Sequence, residues 1–235
     1  GANPIDIIDN VRQIREEREF SDVVVVIIHG GHEYYSLPSP RMVKLYRFYA
    51  ENGASVVIGH HTHCISGWEE HCGVPIFYSL GNFLFTKDSI YSKWYTGLIL
   101  SLKISESGIE YKLIPVKQQK QSYQLTIHNT AEEIEVFKEL EEYNKIISDN
   151  DLLLNSWNKF IRSKTDKYLN YFSLGSFISN KYLSAFINKY KVSRWLTNRK
   201  KLKLSLNVIR CESHLDVSRD VILNYLNKNE DRYTS

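Results

Sequence analysis

The chain has 235 residues, of which 43% are apolar and 24% charged, the balance of a globular protein with a real core. This excludes a disordered, collagen-like or disulfide-scaffold chain, and 30 basic against 27 acidic residues leave +3, too even to imply nucleic-acid binding. The longest apolar run, Val23 to Ile28, is far short of the roughly 20 residues that span a bilayer. No charged-then-apolar leader opens the chain, so neither a transmembrane segment nor a signal peptide is expected. Three cysteines (Cys64, Cys72 and Cys211) are odd in number and lack metal-motif spacing. Reduced thiols are expected, with a Cys64–Cys72 pair left open.

The first half alternates helix and strand. Asn3-Pro4 reads as an N-cap followed by proline at the first helical position, and Ile5, Ile8, Val11 and Ile14 repeat at helical spacing. Asp22 to Ile28 is a continuous β-branched run, which predicts a strand buried on both faces. Ser39-Pro40 caps a second helix ending near Gly53, and Ser55 to Gly59 predicts another buried strand. This order predicts parallel strands joined by a right-handed crossover. Beyond Ile65 the pattern changes to hairpins: Ile65–Glu70 with Val74–Leu80 around Cys72-Gly73, then Leu98–Ile104 with Ile109–Val116 around Ser107-Gly108. Tyr123–Ile127 is a weaker strand. After His128 the chain turns helical. Thr130-Ala131-Glu132-Glu133 fits a capping box, with Ile134, Phe137, Leu140 and Tyr143 as its apolar stripe. Leu152–Phe160, Tyr168–Tyr190 and Val217–Leu226 also suit helices. The expected class is α/β (α+β), with a sheet domain over 1–128 and a helical extension over 129–235.

Six of the eight histidines lie between His29 and His71. Two loops, His29-Gly30-Gly31-His32-Glu33-Tyr34 and Gly59-His60-His61-Thr62-His63, follow the two buried strands. Loops at the carboxyl ends of parallel strands converge where open α/β sheets bind ligands, so His29 and the His-x-His should face each other. Neutral imidazoles suit zinc, iron or manganese. Asn82, after a third strand, could hydrogen-bond a ligand or orient a histidine. Glu33 is a candidate supporting carboxylate. A single post-strand histidine is usually just a satisfied polar group; two such motifs make a site the better reading. His32 and His60 adjoin stronger candidates, His71 reads as a solvent-exposed turn residue, and His128 and His214 receive no role.

The stretch from about Asp22 to Phe85 resembles the bacterial capsule-synthesis CapA family, also called PGA_cap. The matching blocks are His29-x-Gly31-x-Glu33-Tyr34, Gly53-Ala54, Val57-Ile58-Gly59-His60-His61-Thr62-His63 and Pro75-Ile76-Phe77-Tyr78-Ser79-Leu80-Gly81-Asn82-Phe83. The resemblance implies the calcineurin-like metallophosphoesterase fold, of which this chain would supply the second half of the β-sandwich. It also implies that His29, His61 and His63 are ligands of divalent ions (Mn, Fe or Zn), and it points to the cell envelope. Gly30 and Thr62 stand where the family usually carries Trp and Pro. The family's upstream Gly-Asp, Asn-Leu-Glu-like and Asn-Asn-His motifs do not occur here, so the remaining ligands would come from a missing upstream half. The resemblance thus implies a role in poly-γ-glutamate-type exopolymer biosynthesis, with phosphoesterase-like hydrolysis only when that half is supplied. The alternative is a non-catalytic binding or assembly module for an anionic polymer or a biosynthetic partner.

The extension carries its own signal. Lys189, Lys191, Arg194, Arg199, Lys200, Lys201 and Lys203 fall within fifteen acid-free residues, interleaved with Tyr190 and Trp195. The ordinary reading is a solvated helix face; the sharper one is contact with a polyanion, such as a capsular polymer, a nucleic acid or anionic lipid head groups.

Overall fold

The computed structural model describes residues 6–120, 122, 124–171, 181–190, 192 and 198–210. Helix α1 (Ile7–Phe20) begins at Asp6, whose carboxylate accepts the Ile8 and Asp9 N–H groups at 3.0 and 3.2 Å. The expected cap at Asn3-Pro4 lies outside the described residues. Strand β1 (Val25–His29) leads to α2 (Pro40–Glu51), whose first turn is closed by the Ser39 hydroxyl, and then to β2 (Val56–His60). A tight hairpin joins β3 (Trp68–His71) to β4 (Val74–Phe77), its corner made by Cys72 and Gly73 at φ 53° and 78°. These are the left-handed values that a two-residue hairpin turn needs.

The first sheet has the order β1-β2-β4-β3. Both β1 and β4 run parallel to β2, and β3 is antiparallel to β4. A second, antiparallel sheet holds β5 (Thr96–Ser105), β6 (Gly108–Gln118) and β7 (Leu125–Ile127). Phe77 of β4 meets Tyr111 of β6 edge-to-face at 5.1 Å, and the Trp68 indole N–H donates to the Tyr111 hydroxyl at 3.1 Å. Leu98 and Leu113 from the second sheet share one core with Val56, Val57, Ile58, Ile76 and Phe77 from the first. The chain is therefore an α/β protein with one mixed and one antiparallel sheet.

The burial of β1 corrects the sequence reading. The run predicts a strand buried on both faces, yet Ile27 is 67% exposed and Val25 39%. β1 is the edge of the sheet, so one face of it has no cover. The central β2 takes the fully buried role instead, with Val56 and Val57 at 0%.

Helix α3 (Thr130–Ser148) opens on a capping box one residue earlier than the expected Thr130 to Glu133, with Asn129 as the cap and the Glu132 carboxylate accepting the Asn129 N–H. Its buried stripe is Val136, Leu140, Tyr143 and Ile147 rather than one starting at Ile134, which is exposed. The stripe is set by β3: Asn144 accepts the Trp68 N–H at 2.7 Å, and a side chain at Gly67 would meet Asn144 Oδ1 at 2.4 Å. The expected junction near Asn129 thus opens a helix packed on the sheet. The chain divides into compact units over 1–159 and 160–235, with the division inside α4 (Asn150–Tyr171). The second unit contains α5 (Lys181–Lys189) and α6 (Arg199–Arg210); the expected helix at Val217–Leu226 lies outside the described residues. No described helix is long and apolar enough to cross a membrane.

One polar clamp ties α2 to the hairpin. Arg47 donates to both oxygens of Glu69 at 2.8 and 2.7 Å, and the Tyr78 hydroxyl donates to Glu69 at 2.5 Å. Burial alone would push the Glu69 carboxyl up, but these bonds outweigh it and hold it below the ordinary value of 4.5. The folded state therefore binds a proton less readily than the unfolded chain, and the stabilisation is lost as pH falls through the depressed folded value. Glu69→Gln should lower the unfolding free energy near neutral pH by about 2 kcal/mol. That deficit should shrink in urea titrations below the ordinary carboxylate value; a deficit constant with pH would show that charge is not its source.

Candidate metal centre

Three parallel strands deliver the candidate residues to one end of the first sheet. β1 ends on His29, β2 ends on His60 just before His61-Thr62-His63, and β4 runs through Tyr78-Ser79-Leu80-Gly81 to Asn82. Backbone bonds lock the first two loops together: Gly30 N–H donates to the His60 carbonyl at 3.1 Å, and Tyr34 N–H to the Thr62 carbonyl at 2.8 Å. Thr62 is buried, donating to the Cys64 carbonyl at 2.8 Å and sharing a 2.8 Å bond with the Ser79 hydroxyl. Gly31, at φ 128°, has its missing Cβ only 2.8 Å from the Thr62 methyl, so the loops interlock only with glycine there.

Tyr34, His61 and His63 all take positive φ, at 62°, 106° and 59°. For residues carrying a Cβ this costs on the order of 1–3 kcal/mol each, and such strain concentrates at functional sites. Its effect here is to turn successive imidazoles of the second loop toward the first. His61 Nδ1 lies 3.0 Å from His29 Nε2, with their rings edge-to-face at 4.8 Å, and the His61 and His63 centroids are 6.0 Å apart.

His63 is the best-held member. Asn82, only 7% exposed, donates its amide to the Trp94 carbonyl at 3.0 Å, which turns its oxygen toward His63 Nδ1 at 2.9 Å. An acceptor at Nδ1 places the proton there and leaves the Nε2 lone pair for a ligand. The ring rests against Trp94 at 4.6 Å and Phe85 at 5.1 Å, and it borders a cavity of about 220 Å³ lined also by Tyr34, Tyr91 and Lys93. Tyr34 stacks on Tyr91 at 4.4 Å. Sequence reasoning missed Trp94 and Tyr91, because they lie on an irregular stretch and a 3₁₀ turn (Ser92–Tyr95) with no motif of their own.

Other candidates divide clearly. His32 turns away and packs on Trp157 at 4.9 Å; burial, and then the charge of His61, hold its pKa below the ordinary value. His60 is lowered by burial and then by His29. Glu33 is exposed and takes no part in the histidine contacts. His71 is not a free turn residue, since it bonds Glu51 at 2.7 Å. Cys64 and Cys72 are free thiols. Lys189, Arg199, Lys200 and Lys203 are exposed on the second unit, whereas Arg194 lies outside the described residues. Among the described residues, no group of three or more His, Cys, Asp or Glu side chains is arranged to hold a metal ion. What the site does present is a close imidazole pair and a third imidazole with one nitrogen fixed.

Two substitutions test the His63 arrangement. Asn82→Leu should abolish the single Nδ1–H tautomer of His63 in long-range ¹⁵N correlation spectra. Gly97→Ala should do the same indirectly, because its Cβ would lie 1.9 Å from the Asn82 carbonyl oxygen. Unchanged His63 signals in both variants would show that the tautomer is set elsewhere.

Residues 3–87, which contain every candidate site residue of the sheet, match the family model described as bacterial capsule synthesis protein PGA_cap. The chain is 40% identical over 85 residues to the PGA biosynthesis protein CapA of Bacillus subtilis (strain 168), a match covering 36% of this chain and 22% of that protein. It is 36% identical over 94 residues to the capsule biosynthesis protein CapA of Bacillus anthracis, covering 37% and 23% respectively. The match thus spans about a fifth of the length of these curated relatives.

Proposed function

Taking residues 3–87 as a segment of the bacterial capsule synthesis PGA_cap family, we propose that the chain serves the biosynthesis of a poly-γ-glutamate-type capsule or exopolymer. In this reading His29, His61 and His63 are part of a metallophosphoesterase-type site that further residues of the full-length protein complete. The observation that carries it is the imidazole pair. Two nitrogens 3.0 Å apart have the spacing of neighbouring ligands on one ion, about 3.0–3.4 Å for metal–nitrogen bonds near 2.1 Å.

The fit to a divalent ion (Mn, Fe or Zn) is partial. His29 and His61 present adjacent nitrogens, and Asn82 frees Nε2 of His63, but the described residues contain no complete ligand cluster. When bound, such ions polarise a phosphoryl oxygen and acidify a bound water. This chain's own part is to hold the imidazoles aimed, as Asn82 does for His63. Partial burial opposes the charged form of His60 and His32 beside the pair. Trp94, Phe85 and Tyr34 pack around His63 and the neighbouring cavity, limiting water on that side. Glu33 is the weakest member, an exposed carboxylate on the first loop. The second reading, a non-catalytic binding or assembly module, is favoured by the same incomplete ligand set.

The 235-residue chain should take up at most one Mn²⁺ or Zn²⁺ by titration calorimetry, and His61→Ala should weaken uptake by about tenfold or more. It should turn over phosphodiester and phosphomonoester model substrates poorly or not at all, for want of a second ion and a bridging ligand. Absence of any divalent-ion binding would remove the metal site; robust, chelator-sensitive turnover would show a fuller ligand set than this one. Carrying His61→Ala into the full-length gene should abolish surface polymer, whereas normal polymer would favour the assembly reading.

A further inference from the structure

Charge in this chain is segregated. Between Asp166 and Glu212 the sequence holds ten lysines and arginines and no acidic residue, so the rest of the chain is net negative. A one-sided distribution of this kind marks a surface that meets a polyanion or an anionic membrane. The structure separates the two. On α5 and the turn that follows it, Tyr182, Leu183, Phe186 and Tyr190 are between 47% and 78% exposed. They stand at i, i+1, i+4 and i+8, within one stripe about 100° wide, while Ile187 on its flank is buried. Phe186 and Tyr190 pack ring on ring at 4.6 Å, and the Lys189 ammonium lies 5.5 Å over the Tyr190 ring. On α6, Leu204 and Leu206 are 64% and 51% exposed, on opposite faces of the helix, and Arg199, Lys200 and Lys203 are exposed as well.

A soluble polycarboxylate needs only the cations and has no group to stack on the exposed aromatic rings, while exposed leucines add nothing to binding a nucleic acid. A bilayer interface uses both: apolar side chains enter the acyl boundary, aromatic rings sit at head-group depth, and lysine stems reach back to the phosphates. Helices of 9 and 12 residues are too short to span a bilayer and suit lying in its surface. We propose that α5 and α6 form an interfacial membrane-binding surface for anionic lipid, with Tyr182, Leu183, Phe186 and Tyr190 as the inserted side chains and Lys189, Arg199, Lys200 and Lys203 as the head-group contacts. The surface belongs to the second unit and does not depend on the histidine site.

The test uses the whole 235-residue chain and co-sedimentation with vesicles. Binding is expected to vesicles of phosphatidylcholine with about 30 mol % phosphatidylglycerol, not to phosphatidylcholine alone, and to fall when salt rises from about 0.1 to 0.5 M. The triple variant Lys189→Gln, Lys200→Gln, Lys203→Gln should bind about a hundredfold more weakly, near fivefold per charge. Phe186→Ser with Tyr190→Ser should also lose binding, while circular dichroism reports that its helix content is retained. Equal binding to both vesicle types, or none at low salt, overturns the proposal without reference to any variant. So does a serine variant that binds as well as the parent while free poly-γ-glutamate displaces both, since that outcome means a polyanion contact only.

Discussion

The parallel register of β1, β2 and β4 is the constraint on which the site depends. Val25 to His29 align one-for-one with Val56 to His60, and β2 aligns in turn with β4. Parallel strands end on the same side of a sheet, so three separate loops open together there. The β-branched runs that make these strands are thus also what brings His29 and His61 within 3.0 Å. A slip of one residue in either pairing would turn every side chain to the opposite face, and the imidazoles would no longer meet.

Within that frame the fine placement comes from small residues and buried amides. Gly31 admits the Thr62 methyl, Gly97 admits the Asn82 carbonyl, and Gly59 lets the Tyr78 carbonyl and the Tyr46 ring approach β2. Asn82 then relays the position of the Trp94 backbone to the His63 ring. The strained loop backbone at His61 and His63 is supported by these contacts rather than by its own preferences, as expected where a site is held ready for a ligand.

The two compact units carry different physics. The first sets its imidazoles at the end of a packed sheet, with a carboxylate clamped by Arg47 and Tyr78. The second gathers cations without acids and leaves apolar side chains in the open.

Much of the first unit was legible in the sequence because it rests on local pattern. The β-branched runs gave β1 and β2, Ser39-Pro40 gave the start of α2, Cys72-Gly73 and Ser107-Gly108 gave two turns, and the four motif blocks gave the resemblance that the family model over residues 3–87 also finds. Other features depended on neighbours that no periodicity encodes. β1 reads as doubly buried, and only its place at the sheet edge exposes Ile27. The α3 stripe begins at Val136 because Asn144 must reach Trp68. The walls around His63 come from Trp94 and Tyr91, residues with no motif of their own. Spacing along the chain determines which side chains share a face; it cannot state which faces find cover. That was decided by strand order and helix docking, since burial is a property of the assembled layers.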